Sequence, residues 1–365
     1  MMTKEQIIHA LSHVEEPDLG KDLVTLNMVK DIEIDGEKVS FTVVLTTPAC
    51  PLKDLIRNAC INAVKHFVNK EAVVTVNMTA NVNSTRKDAK TVLPGVKNVI
   101  MVASGKGGVG KSTVAANLAI SLAQGGAEVG LMDADIYGPS VPIMFGVRGE
   151  RPMMVSVDGK GKIAPMEKFG IKFMSIGLLV DEKQAIVWRG PMLSSALRQF
   201  VTDVHWGDLD YLIIDMPPGT GDVQLTLVQT VPVTGAVIVT TPQEVALADA
   251  KKGIAMFASP AINVPVIGLV ENMAYFTPKE LPDNKYYIFG REGGKRLASE
   301  LDIPFLGQIP LVQGIREGGD YGQPAITGDD EITKKAFIDF AGATARGIAM
   351  RNANLAPTKI VEVMV

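Results

Sequence analysis

The chain contains little cysteine: only Cys50 and Cys60 occur in 365 residues. This count excludes a disulfide framework of the kind that staples small secreted proteins. It favours a reducing compartment, and we expect a cytoplasmic location. Two cysteines also limit the thiolate ligands that one chain could offer to a metal cluster.

The sequence also lacks a long apolar run and a charge excess. No stretch approaches the ~20 consecutive apolar residues of a membrane-spanning helix, and residues 1–6 contain no apolar signal region. The formal net charge is −4, which argues against an overall basic field for nucleic acid. With 47% hydrophobic and 21% charged residues, the composition is that of a globular protein with one or two domains. We therefore expect neither a membrane nor a nucleic-acid partner.

The most informative stretch is a glycine-rich turn between a predicted strand and a predicted helix. Residues 99–102 form an apolar run typical of a buried parallel strand, and a helical apolar pattern begins at Val114. Between them, residues 105–112 satisfy G-x-x-x-x-G-K-[ST]. The N–H groups of such a loop point inward at the positive end of a helix, where phosphate oxygens bind. With both flanking elements present, the pattern indicates a nucleotide site rather than a turn alone.

The residues of this loop have predicted roles in binding ATP and Mg²⁺. Lys111 would contact the β- and γ-phosphates, and Ser112 would ligate Mg²⁺. Three glycines would let the backbone curl: Gly107, Gly108 and Gly110. The predicted nucleotide-binding residues of the loop are Gly105, Lys106, Gly107, Gly108, Val109, Gly110, Lys111, Ser112 and Thr113.

A second lysine inside the loop narrows the class of nucleotide-binding protein. Lys106 follows Gly105, so the loop contains K-G-G-x-G-K-S-T. This motif resembles the deviant Walker A ATPases, which include Mrp/ApbC proteins, the nitrogenase iron protein, and Min and Par ATPases. The resemblance implies that Lys106 contacts phosphate across a homodimer that sandwiches the nucleotide. The alternative is a solvated surface charge.

Carboxylates follow two further predicted strands. Residues 129–132 precede Asp133 and Asp135, and residues 211–214 precede Asp215. Ligands bind at the carboxyl ends of parallel strands. The segments D-A-D-I-Y-G-P-S and D-M-P-P-G-T-G-D resemble switch I, and Walker B with switch II, of Mrp proteins.

This resemblance implies roles for the three carboxylates. Asp135 would orient or activate the attacking water, Asp133 would support the Mg²⁺ shell, and Asp215 would bind Mg²⁺. A single direct carboxylate suits Mg²⁺, which prefers waters and phosphate oxygens as its other ligands. Helix capping is the alternative for the Asp133 and Asp135 pair.

Strand and helix patterns alternate from Asn98 onward. They predict an α/β P-loop NTPase fold with a mostly parallel sheet covered by helices on both faces. We expect a small α+β domain at 1–84, a polar linker at 85–97, the P-loop domain at 98–352 and a tail at 353–365. The small domain would contain a helix, a hairpin around Asp35 and Gly36, a second helix and a last strand. The apolar faces predicted for its two helices are Ile7, Ile8, Leu11 and Val14, and Leu52, Leu55, Ile56, Ala59 and Val64.

The N-terminal segment resembles the iron–sulfur-assembly domain often fused in front of Mrp proteins. The matching motifs are E-P-D-L at 16–19, D-L-V at 22–24 and L-T-T-P-A-C-P at 45–51. Cys50 is thereby a candidate ligand for a transient iron–sulfur cluster, and the start of a helix favours a thiolate. The alternative for Cys50 is a small buried hydrophobe. Cys60 lies ~15 Å further along the helix and is interpreted as packing.

The Mrp resemblance covers nearly the whole chain. It implies an ATP-hydrolysing homodimer that carries iron–sulfur clusters, receives them from assembly proteins and delivers them to apoproteins. Many Mrp carriers have a C-x-x-C pair after E-N-M, but here residues 275–285 contain no cysteine. The ligands of a bridging [4Fe–4S] cluster are therefore missing. Two alternatives stay open: a positioning or regulatory ATPase like Min and Par proteins, and a nucleotide-gated scaffold without metal.

Three weaker assignments complete the sequence interpretation. Asn272 follows a predicted strand at a position that contacts the adenine edge in related ATPases. The turn at Ile309 and Pro310 would flank the base. Trp188 and Arg189 would form a partner or switch surface, or would simply pack.

Overall fold

The computed structural model describes residues 2–84, 86, 92–179, 190–260, 262–278, 280–281, 284–358 and 360. It divides into two compact units. The first contains Met1–Asn83 and Ala349–Leu355, and the second contains Ser84–Ile348 and Ala356–Val365. No helix among the described residues combines the length and apolar character that a membrane span requires.

The first unit is a small α+β fold. Strands β3 and β4 pair antiparallel around the predicted turn at Asp35 and Gly36, and β5 adds to β4 in parallel, so the predicted hairpin is confirmed. Two very short strands, β1 and β2, pair separately. The elements are α1 (Lys4–Leu11), β1 (Glu15–Glu16), β2 (Lys21–Asp22), β3 (Val29–Asp35), β4 (Lys38–Leu45), α2 (Lys53–Phe67) and β5 (Val73–Ala80).

The core of the first unit is formed by one face of each helix and alternate residues of β4. In α2, Ile56, Cys60 and Val64 are fully buried, at the spacing of one helix face. The packing role predicted for Cys60 is confirmed. The predictions for Leu55 and Ile8 are wrong, because these side chains are 56% and 41% exposed. Each directly precedes or follows a buried residue, and a step of one residue turns a helix by about 100°.

The second unit contains an eight-stranded sheet in the order β10-β11-β7-β12-β6-β13-β14-β15. Only the edge strand β10 is antiparallel to its neighbour. The strands are β6 (Val96–Ala103), β7 (Val129–Asp133), β8 (Met154–Val157), β9 (Lys160–Ile163), β10 (Met166–Lys168), β11 (Ile171–Ser175), β12 (Leu209–Asp215), β13 (Gly235–Thr240), β14 (Val266–Glu271) and β15 (Phe305–Gln308). Strands β8 and β9 form a separate antiparallel pair.

Helices connect these strands, as the alternating sequence pattern predicts. The central strands are buried along their whole length, which is why they appear as continuous apolar runs. The helices are α3 (Lys111–Gln124), α4 (Val141–Met144), α5 (Gly190–Thr202), α6 (Asp222–Val228), α7 (Glu244–Ala258), α8 (Gly293–Glu300), α9 (Gln313–Tyr321) and α10 (Glu331–Asn354).

The stretch predicted as a linker is partly built into the second unit. Strand β6 begins at Val96, before the predicted start of the P-loop domain. Arg86 is buried, at 8% exposed. Its guanidinium donates to the carbonyl oxygens of Val92 (3.0 Å), Pro232 (3.1 Å) and Val96. Burial lowers the pKa of Arg86 to about 10. Arg86, which falls in the stretch predicted as a linker, is therefore packed into the second unit.

Candidate nucleotide-binding site

Three segments that the sequence singled out meet at one edge of the large sheet. Strand β12 lies between β7 and β6. Asp215 at the end of β12 is the register partner of Asp133 on β7 and of Val102 on β6. The loop that follows β6 leads directly into α3. The two carboxylates and the glycine-rich loop thus share the carboxyl edge of the parallel sheet, where ligands bind in such folds.

The conformation of the glycine-rich loop depends on three glycines. Gly108 and Gly110 have φ of +84° and +80°, in the left-handed region that side chains disfavour. Gly105 is required by close approach, because a Cβ there would lie 2.1 Å from the backbone carbonyl of Asp249 in α7. Gly107 does not have a positive φ, and its part in the curl stays a prediction.

Lys111, at the end of this loop, contacts carboxylates at or just after the ends of two neighbouring strands. Its side chain is 6% exposed, and Nζ lies 2.6 Å from Asp215 Oδ1. The same nitrogen is 3.6 Å from Asp135 Oδ2 and 3.2 Å from Ser112 Oγ. The structure therefore brings together four side chains that the sequence assigned to ATP hydrolysis.

One carboxylate oxygen of Asp215 is buried without a hydrogen-bond donor. The residue is 0% exposed, and its Oδ2 has no hydrogen-bond partner. Burial raises the pKa of Asp215, and the positive charge of Lys111 opposes that rise. A buried carboxylate oxygen without a donor is rare in folded proteins, and it suits a divalent cation. Asp215 and Ser112 thus fit Mg²⁺, which needs few protein ligands.

Asp133 uses both of its oxygens to hold the following loop. Oδ1 accepts from the N–H of Asp135 (3.1 Å), and Oδ2 accepts from the hydroxyl of Ser175 (2.8 Å) and the N–H of Val141 (3.4 Å). Burial, followed by the charge of Asp215, raises the pKa of Asp133 to about 7. Asp133 therefore positions Asp135 and the start of α4. Accepting from the N–H of Val141, the first residue of α4, resembles the helix-capping role that was the alternative for this residue. Its support of a Mg²⁺ shell stays a prediction. No motif pointed to Ser175.

The loop after Asp215 is hydrogen-bonded to the glycine-rich loop. The N–H of Met216 donates to Val102 O (3.0 Å), and the N–H of Gly219 donates to Ser104 O (2.9 Å). The Ser104 hydroxyl in turn donates to the carbonyl of Lys106 (3.0 Å). The predicted switch II and the first half of the phosphate loop are thus one connected network.

Asn272 supports the loop from the side of β14. It is 6% exposed, and its Nδ2 donates to Val109 O at 2.8 Å. A Cβ on Gly110 would lie 2.3 Å from that nitrogen, so these two residues fit closely. The predicted contact of Asn272 with adenine stays a prediction. At the predicted base-flanking turn, the N–H of Ile309 donates to Glu271 O at 2.9 Å.

The other predicted residues have simpler surroundings. Lys106 is exposed, and the Thr113 hydroxyl lies 3.9 Å from Met144 Sδ. Cys50 is half-buried and precedes Leu52, the N-cap of α2, by two residues. Trp188 and Arg189 lie outside the described residues. Across the part of the chain that the structure describes, no three His, Cys, Asp or Glu side chains form a group that could hold a metal ion.

The segment in the place of the C-x-x-C pair is held by aromatic residues. Phe276 and Tyr286 exchange two backbone hydrogen bonds of 2.8 Å. The ammonium group of Lys285 lies 4.0 Å from the centre of the Tyr275 ring, a cation–π contact. Lys279, Pro282 and Asp283 in this segment lie outside the described residues.

The sheet order, the glycine-rich loop and the Lys111 and Asp215 pair define a P-loop NTPase. Comparison with known families agrees: residues 95–344 match the model described as NUBPL iron-transfer P-loop NTPase. Residues 4–78 match the model of iron–sulfur cluster assembly proteins. The chain belongs to the NUBPL-type iron-transfer P-loop NTPase family, with an iron–sulfur-assembly domain in front. The Mrp-type resemblance seen in the sequence is confirmed.

Full-length relatives carry matching names. An iron–sulfur cluster carrier protein of Synechocystis sp. is 49% identical over 353 residues, covering 96% of this chain and 99% of that protein. A protein of the same name from Deinococcus radiodurans is 47% identical over 359 residues, covering 98% of this chain and 99% of that protein. A nucleotide-binding protein of Archaeoglobus fulgidus, solved in complex with ADP, is 38% identical with a TM-score of 0.57. It covers 67% of this chain and 96% of its own.

Proposed function

We propose that the protein is a Mg²⁺-dependent ATPase that carries iron–sulfur clusters and delivers them to apoproteins. The observation that carries the ATPase part is the convergence of Lys111, Ser112, Asp135 and Asp215 beside the glycine-rich loop. The relatives named iron–sulfur cluster carrier proteins align with almost the whole chain, and they support the proposal that its cargo is an iron–sulfur cluster.

The geometry supports phosphoryl transfer to water. Phosphate oxygens of ATP would occupy the loop around Gly108 and Gly110, where N–H groups and the start of α3 favour negative charge. Lys111 would exchange its contact with Asp215 for the β- and γ-phosphates. Asp135, whose carboxylate lies 3.6 Å from the Lys111 ammonium group, is close enough to that position to orient a water. Ser112 and Asp215 would hold Mg²⁺, which supplies charge neutralisation on the phosphates when bound.

We also propose that the active form is a homodimer. The support is Lys106, which is exposed and therefore available to phosphate bound by a second copy. Its backbone carbonyl is held by the Ser104 hydroxyl, so the side chain projects from a fixed part of the loop. ATP would favour the closed dimer, and hydrolysis would open it.

Cluster handling would depend on Cys50 or on a partner. Cys60 is fully buried in the first unit, and burial raises the pKa of its thiol to about 12, so it is a poor ligand. The C-x-x-C position has no cysteine. This absence favours a second candidate function: a nucleotide-gated assembly factor whose partners carry the cluster. The cytoplasmic location also stays a prediction.

One experiment separates the two candidates. The protein is purified without oxygen, reconstituted with iron and sulfide, and mixed with an apo-acceptor of a [4Fe–4S] cluster, with and without ATP. A carrier binds iron and activates the acceptor, and its Lys111→Ala variant binds iron but does not respond to ATP. Absence of iron together with normal ATP hydrolysis would favour the assembly factor. Absence of ATP hydrolysis in the wild type would contradict both.

A further inference from the structure

Gln224 lies in the first turn of α6 and is directed at the predicted switch II loop. Its side chain is 1% exposed. The amide nitrogen Nε2 donates to Pro217 O (3.0 Å) and Gly219 O (2.8 Å), and Oε1 accepts from the N–H of Gly221 (3.0 Å). Both amide hydrogens and the oxygen are thus used on one short loop.

This loop is intrinsically hard to fix in one conformation. Gly219 adopts a φ of +90° and, like Gly221, has no side chain with which to anchor itself. Ordering one residue of a flexible chain costs roughly 1–2 kcal/mol of conformational entropy, and glycine loses the most. The side chain of Gln224 provides partners for three backbone groups that the loop does not pair internally. It therefore replaces the regular hydrogen bonding that a helix or strand would supply.

The loop held by Gln224 connects two parts of the site. Asp215 precedes Pro217 by two residues, so the loop continues directly from the predicted Mg²⁺ ligand. Gly219 accepts from Gln224 through its carbonyl and donates through its N–H to Ser104 O at 2.9 Å. Ser104 in turn holds the backbone of Lys106. One buried amide is thus linked, through Gly219 and Ser104, to the first half of the phosphate loop, which carries Lys106.

We propose that Gln224 is a positioning residue for ATP hydrolysis, acting by holding the switch II loop against the phosphate loop. This inference rests on the proposed ATPase function. Ground-state nucleotide binding depends on Lys111 and the loop N–H groups, which Gln224 does not contact. Loss of Gln224 should therefore lower kcat and leave nucleotide affinity nearly unchanged.

Two variants test the proposal against a matched control. Gln224→Glu keeps the shape and the acceptor but removes both donors, and Gln224→Met removes all three hydrogen bonds without adding charge. Gln229→Glu makes the same chemical change at the residue that follows α6. We expect kcat to fall by about 10- to 100-fold in both Gln224 variants, the scale for misplacement of a supporting group. The KM for ATP and the Kd for ADP should stay within about threefold, and Gln229→Glu should resemble the wild type.

Hydrogen exchange gives a second readout. The backbone amides of Met216, Gly219, Thr220 and Gly221 should exchange faster in Gln224→Met, while α3 and the central strands remain protected. Wild-type kcat in that variant, or equal losses of kcat and ADP affinity, would overturn the positioning role. If Gln224→Glu unfolds, Gln224→Met decides the question, because it buries no charge. A wild-type protein that does not hydrolyse ATP would instead contradict the proposed function itself.

Discussion

The ammonium nitrogen of Lys111 lies 2.6 Å from Oδ1 of Asp215, and both side chains are buried. The first residue begins α3 and the second ends β12, so this pair joins the phosphate loop to the predicted Walker B strand. A buried charge that loses its partner is strongly unfavourable. Because this contact joins a residue of the phosphate loop to a residue of the Walker B strand, loss of either side chain should affect both the chemistry of the site and the conformation of the loop.

Replacement of Lys111 by alanine should abolish ATP turnover. The change removes charge neutralisation at the phosphates, which is worth several orders of magnitude in phosphoryl transfer.

Asp135→Ala should retain nucleotide binding but hydrolyse poorly, because it would lose the group that orients water. Phosphate release and binding of a fluorescent ATP analogue measure the two effects. Lys251→Ala, which removes an exposed partner of Glu300, is the control. Wild-type turnover in Asp135→Ala would remove that residue from the mechanism.

Gly105 and Gly107 should differ sharply in their tolerance of a methyl group. In Gly105→Ala the new Cβ would overlap the backbone of Asp249, which lies 2.1 Å away. The loop or α7 must then shift, and nucleotide affinity should fall by at least about tenfold. In Gly107→Ala the nearest atom is Pro218 Cγ at 3.9 Å, an ordinary contact. Calorimetry with ADP, together with thermal melting, compares the two. Equal affinities would show that the loop adapts to the added atom.

Lys106 should be required for an ATP-favoured homodimer. Its exposed charge would be paired with phosphate bound by the other copy. Sedimentation velocity of the wild type should show a dimer with a non-hydrolysable ATP analogue and a monomer with ADP. Lys106→Ala should stay monomeric with both while still binding nucleotide. A wild type that stays monomeric in every nucleotide state would contradict the dimer.

Cys50 and Cys60 should behave differently toward iron and toward alkylating reagents. Burial raises the pKa of Cys60 to about 12, so at pH 8 it is a neutral thiol and reacts slowly. Half-buried Cys50 should be alkylated by iodoacetamide in the folded protein, as mass spectrometry would show. After anaerobic reconstitution we expect substoichiometric, oxygen-sensitive iron that is lost in Cys50→Ala and kept in Cys60→Ala. Iron content that does not change in Cys50→Ala would exclude Cys50 as the ligand.

Arg86 should stabilise the second unit although no predicted motif contains it. Arg86→Met keeps an apolar stem but leaves the carbonyls of Val92, Val96 and Pro232 without their donor. Losing donors to buried acceptors costs about 1–3 kcal/mol each, so we expect at least ~2 kcal/mol of destabilisation. Urea denaturation measures the change. Arg316→Met, at a side chain 60% exposed, should change stability by less than about 0.5 kcal/mol. Equal effects of the two substitutions would show that Arg86 is not structurally important.

The sequence by itself determined the elements of the second unit and the chemistry at their ends. The strands at residues 99–102, 129–132 and 211–214 were recognisable because strands buried on both faces need continuous apolar residues. The phosphate loop was recognisable because few residue types allow its backbone conformation, as Gly108 and Gly110 show. The hairpin around Asp35 and Gly36 was equally local, because a two-residue turn sets its register. In each case the constraint acts within a few residues of the chain.

The tertiary structure decided which of these groups touch and which other residues support them. Lys111 and Asp215 are 104 positions apart, Ser175 and Asp133 are 42 apart, and Asn272 and Val109 are 163 apart. Their contacts follow from the placement of β12 between β7 and β6 and from the helices that cover the sheet. The sequence around a serine or an arginine does not indicate which distant carbonyl or carboxylate its side chain will bind. Such partners become defined only when distant segments pack, because burial requires each polar group to find a hydrogen-bond partner.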